Sequence, residues 1–206
     1  MPYKLIFTLL AVALAPPANA QFDKILQGLG GRGAPSDSKT ASGLKEALQI
    51  GTDRAVDLTG ATDGFLKNQF IRILLPEKLR TAEKGLRMVG MGPKLDEFEL
   101  SMNRAAEKAA PAARAIFKDA VMQMTFTDVR GILTGGDTAA TEYFKTKTSA
   151  KLTAAFKPKV ETAMAGTGVV KQYQQLTRGL QSLPFGRGQN LDITDYVVGK
   201  TMDGLF

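Results

Sequence analysis

One long apolar stripe, from Leu95 to Met124, restricts this chain to helical folds more than any other feature. Its members follow one another at intervals of three or four residues: Leu95, Phe98, Met102, Ala105, Ala109, Ala113, Ile116, Ala120 and Met124. That spacing is the repeat of one face of an α-helix, so we predict a helix over Lys94–Met124 with one buried face. Pro111 lies inside this segment and cannot donate to the Glu107 carbonyl, so we expect the helix to bend there.

Shorter segments with the same periodicity flank the long helix. We predict further helices over residues 42–58, 76–89, 127–133, 137–164, 169–183 and 192–203, with a second kink at Pro158. Only Phe70–Leu75 could be read as a strand, and without a partner strand we expect it to be an extended or helical connector. The sequence therefore predicts an all-α, single-domain bundle of about six or seven helices, some of them kinked at proline.

Capping residues mark several of the predicted helix starts. Ser42, Asp137 and Asp192 have side chains that accept hydrogen bonds from free N–H groups of a first helical turn, so we predict them as N-caps. We expect Thr127-Asp128 to cap the short helix that ends near Leu133.

Residues 1–20 have the pattern of a bacterial secretory signal peptide. A basic start at Lys4 precedes an apolar run over Leu5–Leu14, and Ala18-Asn19-Ala20 has the small residues that a signal peptidase recognises. We expect cleavage before Gln21, a flexible leader over residues 21–41 that contains Gly, Ser and Pro, and a helical domain over residues 42–206. The apolar run is shorter than the roughly 20 residues of a transmembrane helix. We therefore expect a periplasmic protein without a transmembrane segment in its mature chain.

The chain contains no cysteine and no histidine. Without cysteine, an exported protein has no disulfides and no lipoprotein anchor. Without histidine, it lacks imidazole bases, the serine and cysteine triads and nearly all zinc sites. Its eight methionines are scattered, which favours packing in the core over a copper site. We accordingly predict no cofactor and no metal.

A polar cluster on the long helix is the strongest candidate for a ligand site. Asn103, Arg104 and Glu107 are three or four residues apart and share a helix face. Arg114 lies two turns further on, and Tyr143 is the fifth predicted member of the site. In a polar pocket between helices, an arginine could bind a carboxylate or phosphate with two hydrogen bonds. The alternative is a buried or half-buried ion pair that fixes the register of packed helices.

Positive charge is concentrated in the C-terminal half of the chain. The whole chain carries a formal charge of +7, and residues 142–178 hold seven basic side chains against two acidic ones. Five lysines of this stretch could contact an anionic surface: Lys145, Lys147, Lys151, Lys157 and Lys159. The alternative is a solvated helix face that keeps the protein soluble. Nucleic acid is not expected as a partner, because export separates the protein from most of it and the lysine run lacks interleaved arginines.

Several short strings occur together in this chain: Gly43–Leu48, Leu75–Glu77, Met102–Glu107, Gly135–Thr141 followed by Tyr143-Phe144, and Asp203–Phe206. In combination they resemble an exported bacterial family catalogued as domain of unknown function 4197, over roughly Ser42–Phe206. The resemblance implies a helical exported protein. It implies no activity, cofactor or catalytic residue.

These observations favour a non-catalytic protein that binds an envelope component or a protein partner. A second hypothesis is a small-ligand carrier whose polar pocket lies between helices. A third is an envelope hydrolase that pairs two carboxylates, with Asp96, Glu107, Asp128 and Asp137 as the candidates. We consider an enzyme the less favoured reading, because no spacing in the sequence requires catalysis.

Overall fold

Seven α-helices and one 3₁₀ turn make up most of the part of the chain that the structure, a computed structural model, describes: residues 37–166, 171, 173–175 and 192–206. The helices are α1 (Asp37–Gly60), α2 (Glu77–Met88), α3 (Gly92–Ala109), α4 (Ala113–Met122), α5 (Phe126–Thr134), α6 (Ala139–Ala165) and α7 (Ile193–Leu205). No strand occurs in these residues, so the predicted all-α fold is confirmed. None of these helices is long and apolar enough to cross a bilayer.

Contacts within the chain divide it into residues Met1–Thr40 and a compact unit Ala41–Phe206. Of the first unit only Asp37–Thr40, the start of α1, lies in the described part, and the site discussed below belongs wholly to the second unit. The predicted signal peptide, the predicted leader up to residue 36 and most of the predicted helix 169–183 lie outside the described residues. Within that last range, residues 171 and 173–175 are helical.

The long apolar stripe forms the centre of the core, as its spacing predicts. Leu95, Phe98 and Met102 are fully buried, and the alanines that follow them allow close helix packing. The interruption at Pro111 is confirmed: α3 ends at Ala109, residues Ala110–Ala112 form a 3₁₀ turn, and α4 begins at Ala113. Gly60, the last residue of α1, packs against the Pro111 ring, where a Cβ atom on Gly60 would lie 3.0 Å from Pro111 Cγ.

Helix α6 runs through the middle of the unit and contacts α3, α4, α5 and α7. Its buried side chains recur at intervals of four residues: Phe144, Thr148, Leu152, Phe156, Val160 and Met164. The helix continues through Pro158, which lies on its exposed side. Unlike Pro111, this proline therefore does not end a helix.

Three of the predicted caps are wrong, and one is confirmed. Ser42 lies inside α1, which begins at Asp37. Helix α5 begins after Thr125, whose extended backbone allows its hydroxyl to accept from the Asp128 N–H, while Asp128 accepts from the Thr125 N–H. Thr127 therefore lies inside the helix. Helix α6 has Thr138 at its N-cap position, without a side-chain cap, so Asp137 lies one residue too early for that role. Asp192 caps α7 as predicted, because its carboxylate accepts from the N–H groups of residues 194 and 195.

The C-terminal residues are packed onto the core. Leu205 is buried, and the Phe206 ring meets the Phe117 ring edge to face with their centroids 6.0 Å apart. These two apolar residues therefore attach the end of α7 to the core.

Candidate functional site

The polar cluster on α3 faces residues 61–76, the segment that joins α1 to α2. This segment is turn and extended chain, so its buried backbone N–H and C=O groups need partners from side chains. Asn103 and Glu107 supply them, with 0% and 4% of their surface exposed. The cluster thus determines where this connecting segment lies.

Glu107 binds the beginning of the segment. Its Oε1 atom accepts hydrogen bonds from the backbone N–H groups of Phe65 and Leu66, each over 3.2 Å. Its Oε2 atom accepts from Arg104 Nη1 over 2.6 Å, which balances the buried negative charge. Both carboxylate oxygens are therefore engaged by groups of the chain itself.

Asn103 binds the end of the segment. Its Oδ1 atom accepts from the Ile73 N–H over 2.9 Å, and its Nδ2 atom donates to the Ile73 carbonyl and to the Glu99 carbonyl, each over 2.8 Å. Ile73 is fully buried, and no strand of the described residues pairs with it. One amide side chain therefore satisfies both polar backbone groups of this residue.

Asp63 links the cluster to the surface. It accepts from Arg104 Nη2 over 2.7 Å and from Lys67 Nζ over 2.7 Å. Hydrogen bonds from Lys67 and then from Arg104 hold the pKa of Asp63 below its usual value. Asp63 has a φ of 68°, in the left-handed region that aspartate tolerates better than most residues. The sequence does not single out this position, and its role depends on the turn.

Arg114 and Tyr143 lie away from this cluster. Arg114 forms ion pairs with Asp57 and Asp53 of α1 over 2.5 and 2.9 Å, and the Asp57 hydrogen bond raises the Arg114 pKa. The Tyr143 hydroxyl donates to the Ala120 carbonyl over 2.8 Å, and burial raises its pKa. Among the described residues, the structure gives neither side chain a polar contact with the cluster. The ligand-binding role of the five predicted residues stays a prediction.

The five predicted lysines of α6 do not form one patch. Lys157 pairs with Asp195 of α7 over 2.8 Å, and Lys145 lies 6.0 Å from the centre of the Phe206 ring. The other three, Lys147, Lys151 and Lys159, are exposed. Each directly precedes a buried residue of α6 (Thr148, Leu152 and Val160), so the three follow one edge of its buried stripe as that stripe winds around the helix. We call these three residues the lysine flank.

A depression of about 650 Å³ lies at the C-terminal end of the lysine flank. Lys159 and Lys108 line it together with Pro158 and Thr162, and none of the described acidic side chains does. The basic surface of α6 therefore extends onto α3.

A separate cleft of about 240 Å³ opens between the connecting segment, α2 and α7. Its lining includes four side chains that carry charge at neutral pH: Arg72, Arg80, Lys200 and Asp203. The remaining wall includes Tyr196 and the apolar side chains of Phe70, Ile71 and Leu74. We call this feature the α2–α7 cleft.

A family model matches the chain over all the residues that the structure describes. Residues 34–206 match the family model described as Protein of unknown function (DUF4197). The chain is a member of the DUF4197 family. No curated protein and no solved structure matches it.

The DUF4197 match confirms the resemblance drawn from the short strings. It begins three residues before α1 and ends at the last residue of the chain, so the polar cluster, the lysine flank and the α2–α7 cleft all lie inside the family region. The family description assigns no activity to any of them.

The α2–α7 cleft has no counterpart in the sequence-based predictions. Its charged residues come from the connecting segment, from α2 and from α7, which are far apart in the sequence. No spacing rule relates such positions, since their proximity depends on how the helices pack. The only local signal is Arg72, a lone charge within the apolar string Phe70–Leu75.

Proposed function

We propose that this DUF4197 protein is exported to the periplasm and acts there without catalysis, by binding anionic lipid headgroups through the lysine flank of α6. The export signal predicted for residues 1–20 supports the location. The observation that carries the proposal is the placement of Lys147, Lys151 and Lys159 along one edge of the buried stripe of α6, with Lys108 beside Lys159.

The charge of this surface is not neutralised by acids of its own helix. Lys145 and Lys157 have Glu142 and Asp195 as acidic partners, whereas among the described residues Lys151 and Lys159 have no ion pair. A lysine close to an anionic membrane contributes about 1 kcal/mol of binding free energy. The lysine flank and Lys108 together therefore suit a reversible, salt-sensitive contact.

The carboxylates support a non-catalytic role. A general acid in a hydrolase needs a raised pKa. The Arg87 guanidinium lowers the pKa of Asp96, and the Thr125 hydroxyl and N–H lower that of Asp128. Both groups therefore stay ionised at neutral pH, and neither suits the role of a general acid.

Co-sedimentation with lipid vesicles tests the proposal. We expect binding to vesicles that contain phosphatidylglycerol, no binding to phosphatidylcholine vesicles, and release as salt rises from about 50 to 300 mM, since the Debye length shortens. The double variant K151Q/K159Q should lower the partition coefficient about tenfold or more.

A matched control keeps the net charge the same. K84Q/K94Q removes two exposed lysines of α2 and α3 that lie outside the lysine flank, and it should bind as the wild type does. Equal loss in the two double variants would contradict a role of the lysine flank. Binding that does not respond to salt would contradict the electrostatic mechanism.

A further inference from the structure

We propose that the α2–α7 cleft is a binding site for a compact organic anion that carries a carboxylate or phosphate group on an apolar body. This inference is independent of the lysine flank and does not rest on the proposed function. It depends on three observations: the Arg80 guanidinium has no ion-pair partner among the described residues, the exposed Phe70 ring lines the same cleft, and the cleft is small.

Arg80 provides the charge. Two other cations of the cleft have acids of the chain as partners: Arg72 pairs with Glu99 over 2.5 Å, and Lys200 with Asp203 over 3.0 Å. Within the described residues, Arg80 is exposed and has no ion-pair partner. An arginine fork matches the geometry of a carboxylate or phosphate, so Arg80 is the group that would bind the anion.

Phe70 provides the apolar surface. Its ring is 87% exposed, more than any other large apolar side chain of the described residues, and it lines the cleft with Leu74. The backbone holds Phe70 in this position, because its N–H donates to Asn68 Oδ1 over 3.0 Å and the Arg72 N–H donates to the Asn68 carbonyl. Phe70 and Leu74 together give the cleft the apolar lining that is usual in small-molecule sites.

The opposite end of the segment is fixed as well. The Tyr196 hydroxyl donates to the Leu74 carbonyl over 3.0 Å, and Asn103 binds the neighbouring Ile73. Burial raises the pKa of Tyr196, so the hydroxyl keeps the proton that it donates. The wall of the cleft is thus positioned before any ligand binds, which lowers the entropy cost of binding.

The size of the cleft limits the ligand. Its volume of about 240 Å³ is below the usual range of roughly 300–1,000 Å³ for drug-sized sites. One ring with one anionic group fits this space. Suitable probes are phenyl phosphate and benzoate, with inorganic phosphate and the neutral benzamide as comparisons.

Titration of the isotope-labelled protein, followed by amide NMR shifts, tests the inference. We expect saturable shifts at residues 70–74 and 196–204 with phenyl phosphate or benzoate, and none with benzamide. R80Q should weaken binding at least about tenfold, because it removes a charge-assisted pair of hydrogen bonds. R54Q removes an exposed arginine of α1 and should leave the affinity unchanged.

F70A distinguishes the binding contribution of the ligand's apolar body from that of its anionic group. It should weaken phenyl phosphate binding several-fold and leave inorganic phosphate binding as it is. Since Phe70 and Arg80 are both exposed, these variants should fold, and circular dichroism would verify this. Absence of saturable shifts in the cleft, equal affinity of R80Q and R54Q, or equal binding of benzamide and benzoate would overturn the inference.

Discussion

Replacement of Asn103 by alanine is the sharpest test of how the connecting segment is held. The side chain makes three hydrogen bonds, two of them to the N–H and C=O of Ile73. Asn103 and Ile73 are both fully buried, so water does not replace these bonds without a rearrangement. Each buried group that loses its partner costs about 1–3 kcal/mol.

The two orphaned groups of Ile73 give N103A an expected loss of about 2–6 kcal/mol in the free energy of unfolding. For a domain of this size, that loss corresponds to a fall in Tm on the order of 10 °C. Urea unfolding followed by circular dichroism measures the free energy. Hydrogen exchange gives the local effect, since the Ile73 amide should lose much of its protection in N103A.

Asn68 offers the matched control. It lies on the exposed side of the same segment, and its Oδ1 atom accepts from the exposed Phe70 N–H. Water can take over this bond, so N68A should cost less than about 1 kcal/mol. If N103A were no less stable than N68A at an unchanged m-value, Ile73 would be open to solvent and the reasoning would be refuted.

Three further outcomes follow from the same region and from α1. E107Q retains an acceptor for the backbone N–H groups but removes the charge opposite arginine, so we expect a loss of about 2–3 kcal/mol in urea unfolding; wild-type stability would show that the ion pair is dispensable. Because the pKa of Asp63 is lowered in the folded state, its contribution to stability is present above the unfolded pKa of about 3.9 and lost as pH falls through the folded value. D63N, which suits the same φ, should therefore flatten the acid limb of a stability–pH curve, and an unchanged limb would contradict this. G64A should cost about 1–3 kcal/mol, because its Cβ would lie 2.2 Å from a backbone carbonyl, whereas G51A has no atom within 4 Å and should gain roughly 0.5–1 kcal/mol; equal thermal shifts in the two variants would count against the packing described here.

The sequence predicts those parts of the fold that depend on local rules. To predict the buried stripe from Leu95 to Met124 and its interruption at Pro111, we needed only the helix repeat and the missing proline N–H. The Asp192 cap required only a carboxylate before a helical turn. The Thr125 cap was missed because two threonines compete there, and the backbone angles decide between them.

The candidate sites depend on contacts between residues far apart in the sequence, which local sequence patterns do not predict. The ion pair of Arg104 and Glu107 is visible in the spacing, and the structure confirms the pair. Its partners Phe65 and Leu66 are about 40 residues away in the sequence, and they are bound through backbone atoms that carry no residue-specific signal. Arg80 and Lys200 are separated further still and meet only through the packing of α2 and α7.

The four-residue interval of the buried side chains in α6 has a mechanical consequence. Four residues exceed one helical turn, so the buried direction rotates by roughly 40° at each step and by about 200° from Phe144 to Met164. At its two ends, α6 therefore packs against its neighbours with nearly opposite sides. Because its neighbours pack against different sides of α6, no neighbouring helix should detach without disturbing the others. We therefore expect the helices at both ends of α6 to unfold in one cooperative transition.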